Sequence, residues 1–188
     1  MSNIIYRKSI FVTAFKPFGS RTINSSMEAV KNIKSDAQVK ILDVSFSKTP
    51  KEVIDILDNN PDMLILTGEA GGRSKVSLEY VAINHYNANI PDNDGMIIKD
   101  KKIIDNGENA YFSNVPCYEI NSMLEKKGFN TYVSLTAGSF VCNLSYYIAL
   151  NYIKEKGLKT KVLFIHFPIE ENNTNSLLID EVVSFLSK

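Results

Sequence analysis

Short, nearly unbroken apolar runs punctuate the chain at residues 10–15, 39–44, 63–67, 132–135 and 162–167. Runs of that length with few charges read as strands buried on both faces, the pattern of a parallel sheet covered by helices. Between most of them the period changes. Over 25–33, 50–58, 118–127, 140–156 and 174–186 the apolar residues recur at spacings of three and four, which predicts helices with one buried face. Stop signals agree with two of these: Gly128 follows Lys126 and Lys127, and Gly157 follows Lys154 and Lys156, each a basic last turn closed by a glycine. The alternation predicts an α/β fold, a three-layer α/β/α sandwich around a mostly parallel or mixed twisted sheet.

One stretch stands outside the alternation. Pro91 to Gly95 reads as a turn, and Met96, Ile97 and Ile98 followed by Lys102, Ile103 and Ile104 predict a small β-hairpin insertion, a candidate for part of a subunit contact. No repeat, low-complexity tract or linker divides the chain, so residues 1–188 are expected to form a single catalytic domain.

Length and composition narrow the function. A chain of 188 residues buries roughly 70% of its unfolded surface without staples. Lysine plus arginine and aspartate plus glutamate stand at 21 each, so no net field favours nucleic acid or an anionic membrane. Small or neutral ligands fit better. Two cysteines are few for a disulfide framework, which argues for a reducing compartment. The opening residues carry no signal-peptide pattern and no run approaches a membrane span, so a cytoplasmic location is expected.

Candidate chemistry centres on Cys142. It lies between a strand-like run that stops near Gly138 and a helix-like run, so its thiol is expected near the positive end of a helix, which favours thiolate over thiol. His166, one of two histidines, ends an apolar strand and supplies a base. Amide hydrolysis by a thiol needs that nucleophile, that base and a third group orienting the base. Spacing alone does not select the third group. In a parallel sheet the loops after 135 and 164 leave from one edge and could bring Cys142 and His166 together there.

Five motifs then acquire a common meaning. The runs FKPFG at 15–19, GEAGGRSKVSLEYVAIN at 68–84, IPDNDG at 90–95, AGSFVCN at 137–143 and FIHFP at 164–168 together resemble the pyroglutamyl peptidase I family, the pyrrolidone-carboxylate peptidases, in order and spacing over nearly the whole chain. The resemblance implies a cysteine exopeptidase that removes an N-terminal pyroglutamyl residue through a Cys-His-Glu triad and a thioester acyl-enzyme, with no metal and no other cofactor. It implies Cys142 as nucleophile, His166 as base and, from E-x-V-A-I-N, Glu79 as the orienting carboxylate. It also implies substrate binding by Phe15 and Phe18 against the faces of the pyroglutamyl ring, with Glu69, Phe140 and Val141 completing the pocket. Partners implied are N-terminally pyroglutamylated peptides or related small amides, and a second or fourth copy of the chain in a homodimer or homotetramer.

The match has departures. Glu69 stands where the family usually has glutamine, and Asn89 where it usually has arginine before I-P-D-N; Ala14, Ser20 and Leu78 replace two glycines and a proline. A glutamate next to a lactam accepts hydrogen bonds but, when ionised, donates none. The expectation is either a protonated Glu69 or a pocket shifted toward an acyl group richer in N–H donors or positive charge. Two further readings stand beside the peptidase: a diverged cysteine amidohydrolase acting on another N-acyl or lactam-like group, and a non-catalytic relative that keeps the pocket for binding.

Other candidates read as structural. Cys117 opens a helix but has no histidine partner in a motif, and His85 reads as a surface or turn residue. Two cysteines and two histidines without ligand spacing argue against zinc. The glycines of 68–73 lack the lysine and hydroxyl of a phosphate-binding loop and read as room for backbone beside a ligand.

Overall fold

Residues 8–169 and 174–188 are described by the computed structural model; residues 1–7, part of the stretch read above for a signal peptide, lie outside it. In chain order the elements are β1 (Ile10–Phe15), α1 (Ser25–Ala29), β2 (Gln38–Leu42), α2 (Thr49–Leu57), β3 (Met63–Glu69), β4 (Val76–Glu79), β5 (Val81–Ile83), β6 (Ala110–Phe112), α3 (Cys117–Lys126), β7 (Thr131–Ser134), α4 (Val141–Lys156), β8 (Lys161–Phe167) and α5 (Asn175–Leu186). Six of the strands form one sheet in the order β2-β1-β3-β8-β4-β7.

The apolar runs dictate this layering, except that β2, expected to be buried on both faces, is an edge strand with a neighbour on one side alone and is exposed at four of its five positions. β1 and β3 are buried at every position, so neither face can meet water and both must be covered. On one face Leu64, Leu66, Val162 and Phe164 pack with Val53 and Leu57 of α2 and Leu144 and Leu150 of α4. On the other, Ile65, Leu163 and Ile165 pack with Ile120 and Leu124 of α3 and Ile179 and Val182 of α5. The result is a three-layer α/β/α sandwich. Helix α4 ends at Gly157, whose φ of 64° is the left-handed conformation glycine takes without a Cβ clash.

Two features differ from the sequence expectation: the edge from which the chain leaves β7, and the segment 96–104. The sheet is mixed, as the expected class allows: β4 pairs in parallel with β7 but antiparallel with β8, so β4 and β7 run against the other four strands. The sequence Val76-Ser77-Leu78-Glu79 alternates apolar and polar, yet all four residues are buried, because the polar pair faces the site rather than water. The strand before Cys142 therefore does not leave from the same edge as β8. Instead the segment 135–140, with Gly138 at φ 82°, carries the chain back to the end of β3 and β8.

The expected hairpin at 96–104 is the second difference. No strand forms there; Met96 and Ile97 are exposed, and the segment is held by a bridge between Tyr86 and Lys101. The small antiparallel ribbon of the fold is β5 with β6. The run at 96–98 meets the rest of the fold through Ile98, whose carbonyl accepts from the Ala88 N–H at 2.8 Å and whose side chain packs on the core, and one such contact does not make a strand pair. Asp92 shapes the turn instead: its carboxylate accepts from the backbone N–H of Phe46 at 2.8 Å, of Asp94 at 3.0 Å and of Met96 at 2.8 Å.

No described helix is long and apolar enough to cross a membrane.

Candidate active site

Register builds the site. Gly68 of β3 pairs with His166 of β8, and His166 pairs with Ser77 of β4. Side chains two residues apart share a face. Glu79 thus lies on the His166 face, diagonally across the strand pair, within reach for a long carboxylate. Its Oε1 is 2.7 Å from His166 Nδ1. Tyr146 of α4 anchors the same residue by donating from its hydroxyl to the Glu79 carbonyl at 2.9 Å.

Cys142 is the second residue of α4, so the backbone N–H groups of the first turn have no partner within the helix. The position is clamped from the side. Asn143 accepts from the Ile83 N–H at 2.9 Å and donates to the Ile83 carbonyl at 2.8 Å, pairing with β5 as another strand would. The thiol rests over Gly68: a Cβ added there would sit 2.8 Å from Cys142 Sγ and 3.0 Å from the Phe164 ring. The absence of a side chain at 68 is what lets the Cys142 thiol approach β3 at the position paired with His166.

Arg73, quoted above only as part of a motif, joins the cluster. Its Nη1 donates to Glu79 Oε1 and to Ser77 Oγ, and its Nη2 donates to the Thr136 carbonyl at 2.8 Å. One guanidinium thereby ties the carboxylate to the segment that leads into Cys142.

Burial and charge set the protonation states. Burial would raise the Glu79 carboxyl, but the hydrogen bond and charge of His166, helped by Arg73, outweigh it and hold it below the usual glutamate value. Burial pushes His166 down against the pull of Glu79, with Arg73 adding to the downward side, so the imidazole is neutral near pH 7. For Cys142 the helix N-terminus does not prevail. Burial, with the negative charges of Glu79 and Glu69, pushes the thiol up to about 12 against the opposing effect of Arg73. The sequence expectation of a resting thiolate is corrected: the resting pair is a neutral thiol and a neutral imidazole.

A cavity of about 210 Å³ opens beside these groups, lined among others by Phe15, Phe18, Glu69, Arg73, Phe140, Val141, Cys142 and His166. Its apolar wall is an aromatic stack: Phe140 lies 6.0 Å from Phe18 and, edge to face, 5.2 Å from Phe46 between ring centroids. Every substrate-binding candidate lines this one cavity. Glu79 is fully buried behind it, its carboxylate held by His166 and Arg73.

Glu69 is neither a lone acid in apolar surroundings nor an open acceptor. Its Oε2 accepts from the Ser25 N–H and the Ser25 hydroxyl, both at 2.8 Å, and from Arg21 Nη2 at 3.3 Å; Arg21 Nε lies 2.8 Å from Oε1. The protein itself fills the positions that an N–H-rich or cationic acyl group would have used. Asn89 accepts from Lys99 at 2.5 Å. Arg21 and Ser25 carried no sequence signal, since their meeting with Glu69 of β3 depends on how the loop after Phe18 folds back. Arg73 could have been singled out as the one cation within the glycine-rich motif.

Cys117 is buried with its Sγ 3.9 Å from the Glu79 carbonyl, and both cysteines are free. His85 is half-buried beside Asp100. Among the described residues no group of three or more histidine, cysteine, aspartate or glutamate side chains could hold a metal.

Comparison with known proteins gives a consistent result. The pyroglutamyl peptidase family model matches residues 8–182. The chain is 40% identical over 187 residues to the pyrrolidone-carboxylate peptidase of Brachyspira hyodysenteriae, covering 93% of each, and 36% identical over 189 residues to that of Thermosipho melanesiensis, covering 94% of each. Among solved structures it resembles Bacillus amyloliquefaciens pyroglutamyl peptidase I, with a TM-score of 0.88 and 29% identity over 97% of this chain and 98% of that one. It also resembles pyrrolidone carboxyl peptidase from Pyrococcus furiosus, with a TM-score of 0.87 and 30% identity over 95% of this chain and 98% of that one.

Proposed function

The chain belongs to the pyroglutamyl peptidase family and is a cysteine peptidase of the pyroglutamyl-peptidase I type, and from that premise we propose that Cys142, His166 and Glu79 are its catalytic triad and act through a thioester acyl-enzyme. The observation that carries this reading is the convergence of Cys142 and His166 on one apolar cavity, with the His166 Nδ1 fixed 2.7 Å from Glu79 Oε1.

That hydrogen bond assigns the proton on Nδ1 to the Glu79 side and leaves Nε2 to act on the thiol. A thiol raised to about 12 is not ionised in advance, so Sγ attacks the pyroglutamyl carbonyl carbon as its proton passes to Nε2. The C–S bond forms, the carbonyl electron pair moves to oxygen, and the oxyanion is met by the N–H of Cys142 at the start of α4. The C–N bond then breaks, His166 returns the proton to the departing amine, and the acyl group remains as a thioester. Water, deprotonated by the same nitrogen, attacks the thioester; pyroglutamate leaves and the thiol is restored. Glu79 keeps the imidazole oriented throughout and stabilises its charged form.

Pocket and substrate are matched in kind. A volume of about 210 Å³ is below the roughly 300–1,000 Å³ of sites for drug-sized ligands and suits one small acyl group. Phe15, Phe18 and Phe140 supply apolar walls for the faces of a flat lactam ring.

Rapid acid quenching of the enzyme mixed with a pyroglutamyl ester, followed by intact-mass measurement and peptide mapping, tests the covalent step. A pyroglutamyl adduct on Cys142 that decays on the timescale of turnover is the expected result. An adduct on Cys117, or turnover by Cys142→Ala, would overturn the assignment.

A further inference from the structure

A carboxylate in the wall of a small apolar cavity needs an explanation. Glu69, the last residue of β3, is 8% exposed and lines the cavity beside Phe15, Phe18, Phe140 and Val141. Left unpaired it would be costly to bury, and it would face an acyl group whose two carbonyl oxygens carry partial negative charge. The structure gives it partners: Ser25 donates through its N–H and hydroxyl, Arg21 donates through Nη2, and Arg21 Nε adds an ion-pair contact with Oε1.

Arg21 is the charged partner in that set. Its side chain is about a third exposed, so its positive charge costs little to maintain, while its planar head spans both carboxylate oxygens of Glu69. The other cation at the cavity, Arg73, is committed to Glu79, Ser77 and Thr136. Among the described residues, the groups that meet the Glu69 charge are therefore those of the loop after Phe18 and the start of α1.

We propose that Arg21 is a specificity-determining positioning residue, which pairs with Glu69 so that the acyl pocket presents a charge-balanced wall and accepts a neutral lactam. This inference rests on the peptidase reading given above and names what that same site selects. It also accounts for Glu69 without a change of substrate. With Oε2 taking three donors and Oε1 facing Nε, the carboxylate serves the protein, and a cationic acyl group gains nothing from it.

The test is a double-mutant cycle on KM and kcat for a neutral pyroglutamyl-aminocoumarin amide, using wild type, Arg21→Met, Glu69→Gln and the double variant. Removing Arg21 leaves the buried Glu69 carboxylate without its charged partner, so Arg21→Met should raise KM roughly tenfold or more while kcat falls less. Removing the stranded charge should cancel that penalty: the double variant should show a KM within about threefold of Glu69→Gln alone. Arg21→Lys, which keeps the charge but loses the planar fork, should fall between wild type and Arg21→Met, and it carries the test if Arg21→Met does not fold. A wild-type KM in Arg21→Met, or a double variant no better than Arg21→Met, overturns the inference. Absence of turnover by the wild type would instead overturn the peptidase reading, so the two failures are distinguishable.

Discussion

Burial does most to lower the His166 pKa; Glu79 pulls it back up through its hydrogen bond and charge, and Arg73 adds to the downward side. As the proposed base it must be neutral, so the acid limb of kcat/KM should report its protonation in the free enzyme. The sign follows directly. A lowered imidazole pKa means activity persists below the ordinary histidine value of about 6.5 and is lost as pH falls further. Glu79→Gln removes the group that favours the imidazolium, so its acid limb should move to lower pH along with a large loss of kcat. Arg73→Met removes a group that disfavours it, so its acid limb should move to higher pH. pH profiles of kcat/KM for the two variants check this; shifts in the same direction would contradict the electrostatic assignment. At this scale the sequence was legible where a motif named the residue, as for Cys142, His166 and Glu79. It was silent where a role is made by folding. Arg21 and Ser25 meet Glu69 across more than forty positions in the chain, with |i−j| of 48 and 44, and nothing in their own neighbourhoods predicts the meeting. The thiol was misjudged for a related reason: the helix terminus is visible in sequence, but the desolvation that overrides it is not.

Among the elements, the long strands were legible because burial on both faces leaves an unbroken apolar run, and the amphipathic helices because one buried face leaves apolar residues at spacings of three and four. The short pieces were not. β4 has four residues and β6 three, too few to establish a period, and the polar members of β4 are buried because Ser77 and Glu79 belong to the site. The segment 96–104 misled in the opposite way: Ile98, Ile103 and Ile104 pack against the core from a loop while Met96 and Ile97 remain exposed. What fixes that region is the turn at 92–96. Asp92 receives three backbone N–H donors, and neighbouring Asn93 ties the turn to both adjoining loops, its N–H donating to the Val44 carbonyl at 2.9 Å and its side chain to the Pro17 carbonyl at 3.0 Å. The turn thus braces the loop bearing Phe18 and the loop bearing Val44, both of which border the cavity. Asp92→Ala should destabilise the fold by about 3 kcal/mol, the scale expected when charge-assisted bonds to buried donors are lost, and should raise KM. Asp92→Asn keeps one acceptor and should cost less. Thermal unfolding alongside KM measures both, and an Asp92→Ala variant as stable as wild type would remove the turn from any part in shaping the pocket.

Across the whole molecule, the fold's contribution is to bring three distant segments to one end of β3 and β8. Inverting β4 and β7 is central to this. It lets Glu79 approach His166 across an antiparallel pair, and it sends the chain after β7 through 135–140 to start α4 beside Gly68. The α/β/α class was legible in the apolar pattern; the inversion was not, because strand direction is set by pairing and not by composition. The most direct test of the triad on this scaffold is release of fluorophore from a pyroglutamyl-aminocoumarin amide under reducing conditions by wild type and by Cys142→Ala. The triad reading predicts turnover by the wild type and none above background by the variant, with both proteins folded by circular dichroism. Turnover retained by Cys142→Ala, or a folded wild type that leaves the amide intact, would contradict it.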